Sequence, residues 1–464
     1  MLRLGLAREA IDAGLFLWKL LDHLVIDQAP VANPLPISTY TDEDFVGDLK
    51  IAAQQSLGQG FLRLIAPDGC MLDPRARLSD WLRDGDVVSA VASEPRLGAT
   101  YGAFALWCSG CGKVVTWGHR PSGGDSEKVQ DLLENVEQIQ ATHRAFAAIL
   151  TDGRVVVWGD AEYGGKAPPG DRLRNVKQIQ ATQFAFAAIL SDERVVTWGD
   201  AQCGGDSSGV QNQLRTVQRI CATHYSFAAI LADGSVITWG HQASGGDSSA
   251  VQNQLSNVKG IWATKRAFAA ILLDGSVVTW GNPEYGGDSC EVQHELINVQ
   301  QLQATGHAFA ALLQDGTVVT WGHAASGGDS RRVAHRLKDV KTLYASEHAF
   351  AAITHDGGAV TWGDPACGGD SFKVQDQLKN VLHIEATHFS FAAVLADRSV
   401  VTWGDHRSGG DSRRVQDQLR NVWKIHATHF AFTAICRDGT VVTWGKPEYG
   451  GDSTDVRESF LCLP

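Results

Sequence analysis

The chain has 464 residues, of which 44% are hydrophobic and 20% are charged, and this composition argues against a chain that is disordered throughout. The formal net charge of −12 argues against nonspecific binding to nucleic acid or to an anionic membrane, because both require a positive surface field. Nine scattered cysteines favour a reducing compartment over a disulfide framework, so we expect a cytoplasmic protein, with the nucleus as the alternative location.

Residues 1–22 are interpreted as an N-terminal extension. The apolar stretch 13–26 is broken by Lys19 and Asp22, so no membrane-spanning helix is expected there. Glu9 and Asp12 lie where a signal peptide carries positive charge, and we therefore expect no secretory leader.

Residues 23–93 are interpreted as a separate domain. Their periodicity predicts a helix at 45–57, a strand at 61–65, a short helix at 78–82 and a strand at 87–91. This order, carried by Arg63-Leu-Ile65 and Leu78-Ser-Asp80, resembles the second half of the ubiquitin-like β-grasp fold. The first hairpin of such a fold would fall in 23–40. The resemblance implies a docking module rather than a conjugatable tag, because no Gly-Gly follows Val91. Ile65 would then lie on a partner-binding strand, with a place in the core as the equal alternative.

The rest of the chain, 96–464, is one repeat. Trp-Gly pairs recur with spacings of 41, 40 and then 41 six times, beginning at Trp117, Trp158, Trp198, Trp239, Trp280, Trp321, Trp362, Trp403 and Trp444. A fixed period of this length is the signature of a repeat architecture. Because partial copies remain at both ends, two arrangements stay open: a large closed propeller, or a terminal copy outside it.

Each repeat contains three short apolar runs, for example at 258–263, 268–272 and 277–280. Runs of this length that are rich in Val, Ile, Phe and Trp indicate strands. Asp274-Gly275 between the second and third runs predicts a hairpin turn. Three or four antiparallel strands cannot bury both faces alone, so the repetition predicts a mainly β protein, a β-propeller of seven to nine blades.

The pattern within a repeat predicts how the blades pack. In the second run, Phe268 and Ala270 face one side and Ala269 and Ile271 the other, so small and large residues would interdigitate between adjacent sheets. The repeated tryptophan is interpreted as part of this packing rather than as a stacking platform for a sugar or base.

Upstream of these strands, Asp247 is predicted to be the N-cap of a short helical turn that carries Val251 and Leu255.

The strings Trp-Gly-x4-Gly (Trp239, Gly240 and Gly245) and x-x-Asp-Gly-x-Val-x-x-Trp-Gly (272–281) resemble the repeats of the regulator-of-chromosome-condensation (RCC) propeller family. The resemblance covers 96–464 and implies the propeller fold. The repeat is shorter than the usual blade of the family, and Ala267-Phe268 replaces the His-Thr that often precedes the second strand there. RCC-like propellers also occur in large HECT-type ubiquitin ligases, so the resemblance suggests a ubiquitin-pathway adaptor.

Catalytic, cofactor and metal sites are not predicted. Cys108 and Cys111 form a Cys-x-x-Cys without a second ligand pair, and the recurring Gly-Gly-Asp-Ser lacks the lysine of a phosphate-binding loop. His143, His224, His388 and His429 hold equivalent places in different repeats. We expect a propeller to spread these four imidazoles around its circumference, too far apart to share one zinc ion.

A binding surface is predicted from the positions that vary between copies. In an antiparallel blade, the dipeptide after Ala-Thr shares a rim with the tetrapeptide after Trp-Gly, and the Asp-Gly turns lie on the opposite rim. The dipeptides favour His, aromatic and basic residues, which are enriched at interface centres. The predicted partner-binding residues are His143, Arg144, Phe184, His224, Tyr225, Lys265, Arg266, His307, His348, His388, Phe389, His429 and Phe430.

The sequence therefore predicts a non-catalytic interaction protein that binds a partner protein on one rim, with no nucleic acid, membrane or cofactor involved. The alternative is a guanine-nucleotide exchange factor for a small GTPase. Because histidine titrates near neutral pH, we also expect binding to respond to pH between about 6 and 7.

Overall fold

The computed structural model of the protein describes residues 45–50, 62–66, 70, 72, 76–82, 88–92, 95–108, 114–170 and 172–453. Among these residues, no helix has both the length and the apolar character needed to cross a bilayer.

The elements between 45 and 92 surround a small hydrophobic cluster of their own. They are α1 at 46–50, β1 at Leu62–Ile65, α2 at Leu78–Trp81 and β2 at Ser89–Ala92. β1 pairs antiparallel with β2, with Leu64 opposite Ala90. Val46, Leu64 and Leu78 are buried against one another, whereas Ile65 is only partly buried.

These elements confirm the predicted strands and short helix to within two residues. Helix α1 confirms the start of the predicted helix, whose remainder at 51–57 lies outside the described residues, as does the predicted hairpin at 23–40.

Nine three-stranded antiparallel sheets occupy the described residues from Pro95 to Gly445, one for each Trp-Gly pair, with the strands of every sheet in chain order. We number these blades one to nine. Their strands are β3 Pro95–Ala99, β4 Ala103–Cys108, β5 Val114–Gly118, β6 Val136–Ala141, β7 Ala145–Leu150, β8 Val155–Gly159, β9 Val176–Ala181, β10 Ala185–Leu190, β11 Val195–Gly199, β12 Val217–Ala222, β13 Ser226–Leu231, β14 Val236–Gly240, β15 Val258–Ala263, β16 Ala267–Leu272, β17 Val277–Gly281, β18 Val299–Ala304, β19 Ala308–Leu313, β20 Val318–Gly322, β21 Val340–Ala345, β22 Ala349–Thr354, β23 Ala359–Gly363, β24 Val381–Ala386, β25 Ser390–Leu395, β26 Val400–Gly404, β27 Val422–Ala427, β28 Ala431–Cys436 and β29 Val441–Gly445.

Short 3₁₀ helices follow the third strands. They lie at Arg120–Ser122, Glu127–Leu132, Ala161–Tyr163, Ala201–Cys203, Gln242–Ser244, Gln252–Gln254, Pro283–Tyr285, Ala324–Ser326, Pro365–Cys367, Phe372–Gln377, His406–Ser408 and Pro447–Tyr449.

Blade five confirms the predicted strands and hairpin turn. Gly275 has φ +79°, a conformation that glycine adopts without steric cost, and the Asp274 carboxylate accepts a hydrogen bond from the Ser276 backbone N–H at 2.9 Å.

The prediction for Asp247 was wrong in detail. Its carboxylate accepts from the Ser249 N–H in a local turn, and the helix begins later, at Gln252. Val251 and Leu255 do pack together in the hydrophobic layer between blades four and five.

Alternate faces of the middle strand pack against the two neighbouring blades, as predicted. Phe268 and Ala270 lie in one cluster with Ile230 of blade four. Ala269 and Ile271 lie in another cluster with Phe309 of blade six. Each interface thus places a phenylalanine of one blade against at least one alanine of its neighbour, which allows the layers to pack closely.

The repeated tryptophans lock adjacent blades together, which confirms their interpretation as packing residues. Trp280 is buried, its ring stacks on Phe268 at 5.1 Å, and its indole N–H donates to the Gly245 carbonyl of the preceding loop at 3.1 Å. Gly245 must be glycine, because it has φ +91° and a Cβ there would lie 2.5 Å from the Phe268 ring.

The Gly-Gly-Asp-Ser motif has a structural use in each blade that carries it. Ser248 lies 3.0 Å from the Thr238 hydroxyl and donates to the Gln252 side-chain oxygen at 2.8 Å, and the Gln252 amide donates to the Val236 carbonyl at 2.9 Å. This chain of bonds fastens the connecting segment to the third strand.

The propeller closes on itself, so the large-ring alternative is confirmed and all nine copies belong to it. Phe104 and Trp117 of blade one pack against Ala431 and Ile435 of blade nine. The interface uses the same residue types as the interfaces between successive blades, which is why no terminal copy is left over.

Candidate functional site

The dipeptides and tetrapeptides that the sequence analysis singled out lie together on one rim. The Asp160 N–H donates to the Arg144 carbonyl, and the Thr142 hydroxyl donates to the Tyr163 carbonyl, so each dipeptide is bonded to the loop that leaves the third strand. The opposite rim carries the Asp-Gly turns, where the Val258 N–H of blade five donates to the Gly234 carbonyl of blade four.

The first residue of each dipeptide belongs to a ring around the central channel, which we call the channel ring. Within it, the backbone N–H of one blade donates to the backbone carbonyl of the next in eight successive bonds of 2.7–3.1 Å. The members are Tyr101, His143, Gln183, His224, Lys265, Gly306, Glu347, His388 and His429. Together with the preceding threonines, most of them line a cavity of about 450 Å³ at the channel mouth.

The expectation that the propeller would keep these histidines far apart was wrong for His143, His388 and His429. His388 and His429 have ring centroids 3.7 Å apart, and His143 lies 5.5 Å from His429. These residues line one channel mouth, so histidines of neighbouring and next-neighbouring blades come close together there.

Burial keeps the channel-ring histidines neutral at physiological pH. Desolvation, followed by the positive charge of Arg144, lowers the pKa of His143 to about 4. Desolvation, followed by the charge of Lys265, lowers the pKa of His224 to about 3. Desolvation and neighbouring imidazoles hold the pKa of His429 well below its usual range. These lowered pKa values contradict the expectation that binding responds to pH between 6 and 7. They move titration of the channel-ring histidines to lower pH.

One ion pair in the channel ring joins two blades that are separated by a third. Lys265 of blade five contacts the carboxylate of Glu347 of blade seven, and Glu347 is only 9% exposed. Gly306 of the intervening blade leaves room for this contact, since a Cβ there would collide with the Glu347 carboxylate. Glu347 also lies 3.4 Å from Nε2 of His388.

The second residues of the dipeptides form an outer ring with tyrosines from the tetrapeptides, which we call the crown. Phe184 stacks between Tyr163 at 5.0 Å and Tyr225 at 5.8 Å. The Arg266 guanidinium lies over the rings of Tyr225 and Tyr285, at 5.5 and 5.4 Å. The crown comprises Arg144, Tyr163, Phe184, Tyr225, Arg266, Tyr285, His307, His348, Phe389, Phe430, Lys446 and Tyr449.

The structure therefore divides the thirteen predicted binding residues into two groups. Those in the channel ring are His143, His224, Lys265, His388 and His429. Those in the crown are Arg144, Phe184, Tyr225, Arg266, His307, His348, Phe389 and Phe430. The five channel-ring members line the cavity at the channel mouth, and all thirteen residues are partly exposed except Phe430, which is buried.

Sequence reasoning missed the three crown tyrosines, Tyr163, Tyr285 and Tyr449. A signal was present, because tyrosine occupies the fourth tetrapeptide position in these repeats where the others have serine or cysteine. Cys111 of the Cys-x-x-Cys pair, at which no site was predicted, lies outside the described residues.

The opposite rim is uniform by comparison. Its turns repeat Asp-Gly with few exceptions, and each aspartate is bonded to the residue two positions later, as Asp315 is to Thr317 at 2.9 Å. A larger groove of about 860 Å³ lies at the outer strand of blade three and the segments that precede and follow that blade, lined by residues such as Arg172, Arg194 and Gln211, and it contains none of the predicted binding residues.

No protein-family model matches the chain, and no match is found among curated proteins. Similar solved structures include the ectodomain of the receptor kinase CR4 from Physcomitrella patens, at 14% identity over 59% of this chain and 75% of that chain, with a TM-score of 0.38. Prp20p from Saccharomyces cerevisiae, described with its binding properties to Gsp1p and histones, is 16% identical over 58% of this chain and 83% of its own, with a TM-score of 0.37. Human WBSCR16 is 14% identical over 74% of this chain and 88% of its own, with a TM-score of 0.31. These scores are too low to add to what the sheets themselves establish.

Proposed function

We propose that the protein is a non-catalytic scaffold that binds a partner protein on its crown. The observation that carries the proposal is the asymmetry between the rims: one repeats a hydrogen-bonded Asp-Gly turn, and the other presents side chains that differ from blade to blade. The middle and third strands are nearly identical in all copies, whereas the crown and channel-ring residues differ from blade to blade.

The chemistry of the crown supports this proposal. Aromatic residues and arginine carry much of the binding free energy at protein interfaces, because they bury large areas at a low entropic cost. Phe389 and Phe430 stack at 5.6 Å, and the Lys446 ammonium lies 4.1 Å from the Phe430 ring centroid. The crown side chains are held in place before any partner arrives, which lowers the cost of ordering them on binding.

The test is quantitative affinity purification from the native cell, followed by mass spectrometry, with three forms of the full chain. The double variant Tyr225→Ala/Phe389→Ala removes two crown rings from opposite arcs. Leu273→Ala, at a side chain that is 71% exposed beside an Asp-Gly turn, is the matched control on the other rim. We expect recovery of the partner to fall at least about tenfold for the crown variant and to be unchanged for the control. Equal recovery with all three forms would exclude the crown as the binding surface.

We further propose that residues 96–464 form an RCC-like propeller and that residues 23–93 form a ubiquitin-like module, which follows an extension at 1–22. We also propose that the protein acts in the ubiquitin pathway, in the cytoplasm or the nucleus. The antiparallel pair β1–β2 and its separate hydrophobic cluster support the module. Ile65→Asp should abolish capture of ubiquitin-pathway proteins while crown-dependent capture persists. Retention of those proteins by Ile65→Asp would remove this assignment.

Whether the protein is a guanine-nucleotide exchange factor is tested separately, by measuring nucleotide release from a panel of small GTPases. We expect no acceleration by the full chain. A large acceleration that the Tyr225→Ala/Phe389→Ala variant loses would replace the scaffold by an exchange factor that acts through the same crown.

A further inference from the structure

Three side chains from blades six and seven converge where the crown meets the channel ring. The ligand atoms of His307, Glu347 and His348 lie within 4.8 Å of one another. His307 and His348 hold the same crown position in neighbouring blades, and their rings stack at 4.8 Å with 17° between the planes. Glu347 belongs to the channel ring and reaches them because Gly306 has no side chain to block it.

Each imidazole has a ring nitrogen available for a ligand. Nδ1 of His348 lies 3.1 Å from the Ser326 hydroxyl, an arrangement that orients the ring and leaves Nε2 for another partner. Nδ1 of His307 is buried, and among the described residues it has no hydrogen-bond partner. A buried polar atom without a partner is costly, so a ligand that satisfies it would be stabilised.

We propose that His307, Glu347 and His348 bind a divalent transition-metal ion of the zinc class, in exchange for the Lys265 ammonium that contacts Glu347 in the absence of metal. Two imidazoles and one carboxylate form the donor set of zinc centres that keep an open coordination position. The fourth position would be taken by water.

The geometry requires only side-chain adjustment. Zinc–nitrogen bonds of about 2.0–2.1 Å separate tetrahedral ligand atoms by roughly 3.4 Å, so the three groups must close by about an ångström. Lys265 is 25% exposed, and its flexible side chain can turn towards solvent as the ion enters.

The experiment is titration of the metal-free full chain with Co²⁺ and then Zn²⁺ at pH 7.5, followed by calorimetry and by the ligand-field absorption of bound cobalt. We expect one ion per chain with a tetrahedral cobalt spectrum. His307→Ala, His348→Ala and Glu347→Gln should each weaken binding more than about tenfold. His294→Ala and His335→Ala, at two exposed histidines, are the matched controls and should bind as the wild type does.

Two further measurements keep the proposal falsifiable if a ligand variant does not fold. Lys265→Met should bind the ion severalfold more tightly, because no ammonium competes for Glu347. Unchanged or weaker binding would overturn the proposed exchange of the Lys265 ammonium for the metal ion.

In the wild-type chain, Zn²⁺ should protect His307 and His348 from modification by diethyl pyrocarbonate, as read by mass spectrometry, while His294 stays reactive. Absence of stoichiometric binding, or binding that only the control variants abolish, would overturn the site. The test uses metal alone and is independent of the proposed partner.

Discussion

Left-handed backbone positions recur at fixed places in each blade, and the residue chosen at each place follows from its steric cost. The residue before the first strand is usually asparagine, such as Asn257 with φ 55°, because asparagine tolerates this region better than most residues. The second turn residue on the opposite rim is usually glycine. Blades three and eight depart from this rule, with Glu193 at φ 65° and Arg398 at φ 66°.

Arg398→Gly should therefore stabilise the protein. The substitution removes a Cβ from a left-handed conformation that costs a non-glycine residue about 1–2 kcal/mol, and it offsets part of that gain by making the unfolded chain more flexible. We expect the free energy of unfolding to rise by roughly 0.5–1 kcal/mol in urea denaturation. The reverse change, Gly275→Arg in blade five, is the matched control and should destabilise, because a Cβ there would lie 2.9 Å from the Asn298 backbone. A neutral or destabilising Arg398→Gly would contradict the argument.

At this scale the sequence predicts the residues whose role is local and repeated. The hairpin glycine and the packing tryptophan are readable because nine copies put the same residue in the same place. The pairing of Lys265 with Glu347 is not readable, since the two residues are 82 positions apart in the numbering and meet only because Gly306 between them lacks a side chain.

The blade interface is the element that holds the molecule together. Each middle strand buries one phenylalanine in the preceding interface, and eight tryptophans carry their indole N–H across to the loop of the preceding blade at 3.0–3.1 Å. Because every blade depends on both neighbours, a defect in one interface weakens two blades at once.

Phe268→Ala should consequently cost about 3–5 kcal/mol of unfolding free energy. The side chain is fully buried between the Gly245 loop, Trp280 and blade four, and Gly245 cannot fill the resulting cavity. Leu273→Ala, at an exposed position one residue past the same strand, should change stability by less than about 0.5 kcal/mol. Both values are measured by guanidinium denaturation followed by tryptophan fluorescence; a loss below 1 kcal/mol for Phe268→Ala would show that the interface relaxes around the gap.

The elements were largely predictable, and the exceptions have a physical reason. Strand length and alternation depend on local sequence, so the three strands and the two packing faces of blade five follow from the apolar pattern. The Asp247 cap was mistaken because an aspartate can accept from a nearby N–H in either a turn or a helix start, and sequence alone does not separate the two.

At the scale of the whole molecule, closure brings together residues that the repeat separates. The channel wall is built from first strands, so positions one period apart meet at its mouth, as His388 and His429 do at 3.7 Å. Neither the number of blades nor the width of the channel is encoded in one repeat. The sequence therefore predicted which positions vary, but not that five of the thirteen selected residues would line the channel mouth, where burial lowers the pKa of the histidines.

The channel ring makes stability depend on pH. Histidines with a folded-state pKa near 4 or below remain neutral while the unfolded chain, with a pKa near 6.5, becomes protonated. Between pH 6.5 and about 4 the unfolded state thus binds more protons, and the free energy of unfolding falls as pH falls, by up to roughly 1.4 kcal/mol per pH unit for each such histidine. Above pH 6.5 both states are neutral and the dependence vanishes.

His224→Gln isolates this contribution, because glutamine already occupies the equivalent channel-ring position at Gln183. His224 faces the Lys265 charge and lies 3.5 Å from the Gln183 side-chain amide, so its protonation in the folded state is opposed by both burial and repulsion. We expect denaturation midpoints measured at pH 7.5, 6.5, 5.5 and 4.5 to decline below pH 6.5 in the wild type and to decline less steeply in His224→Gln. His294→Gln, at an exposed histidine, should keep the wild-type slope. If the midpoints of the wild type and of His224→Gln declined in parallel with pH, this imidazole would be hydrated in the folded channel. The channel would then be wider at the channel ring than the backbone bonds around it imply.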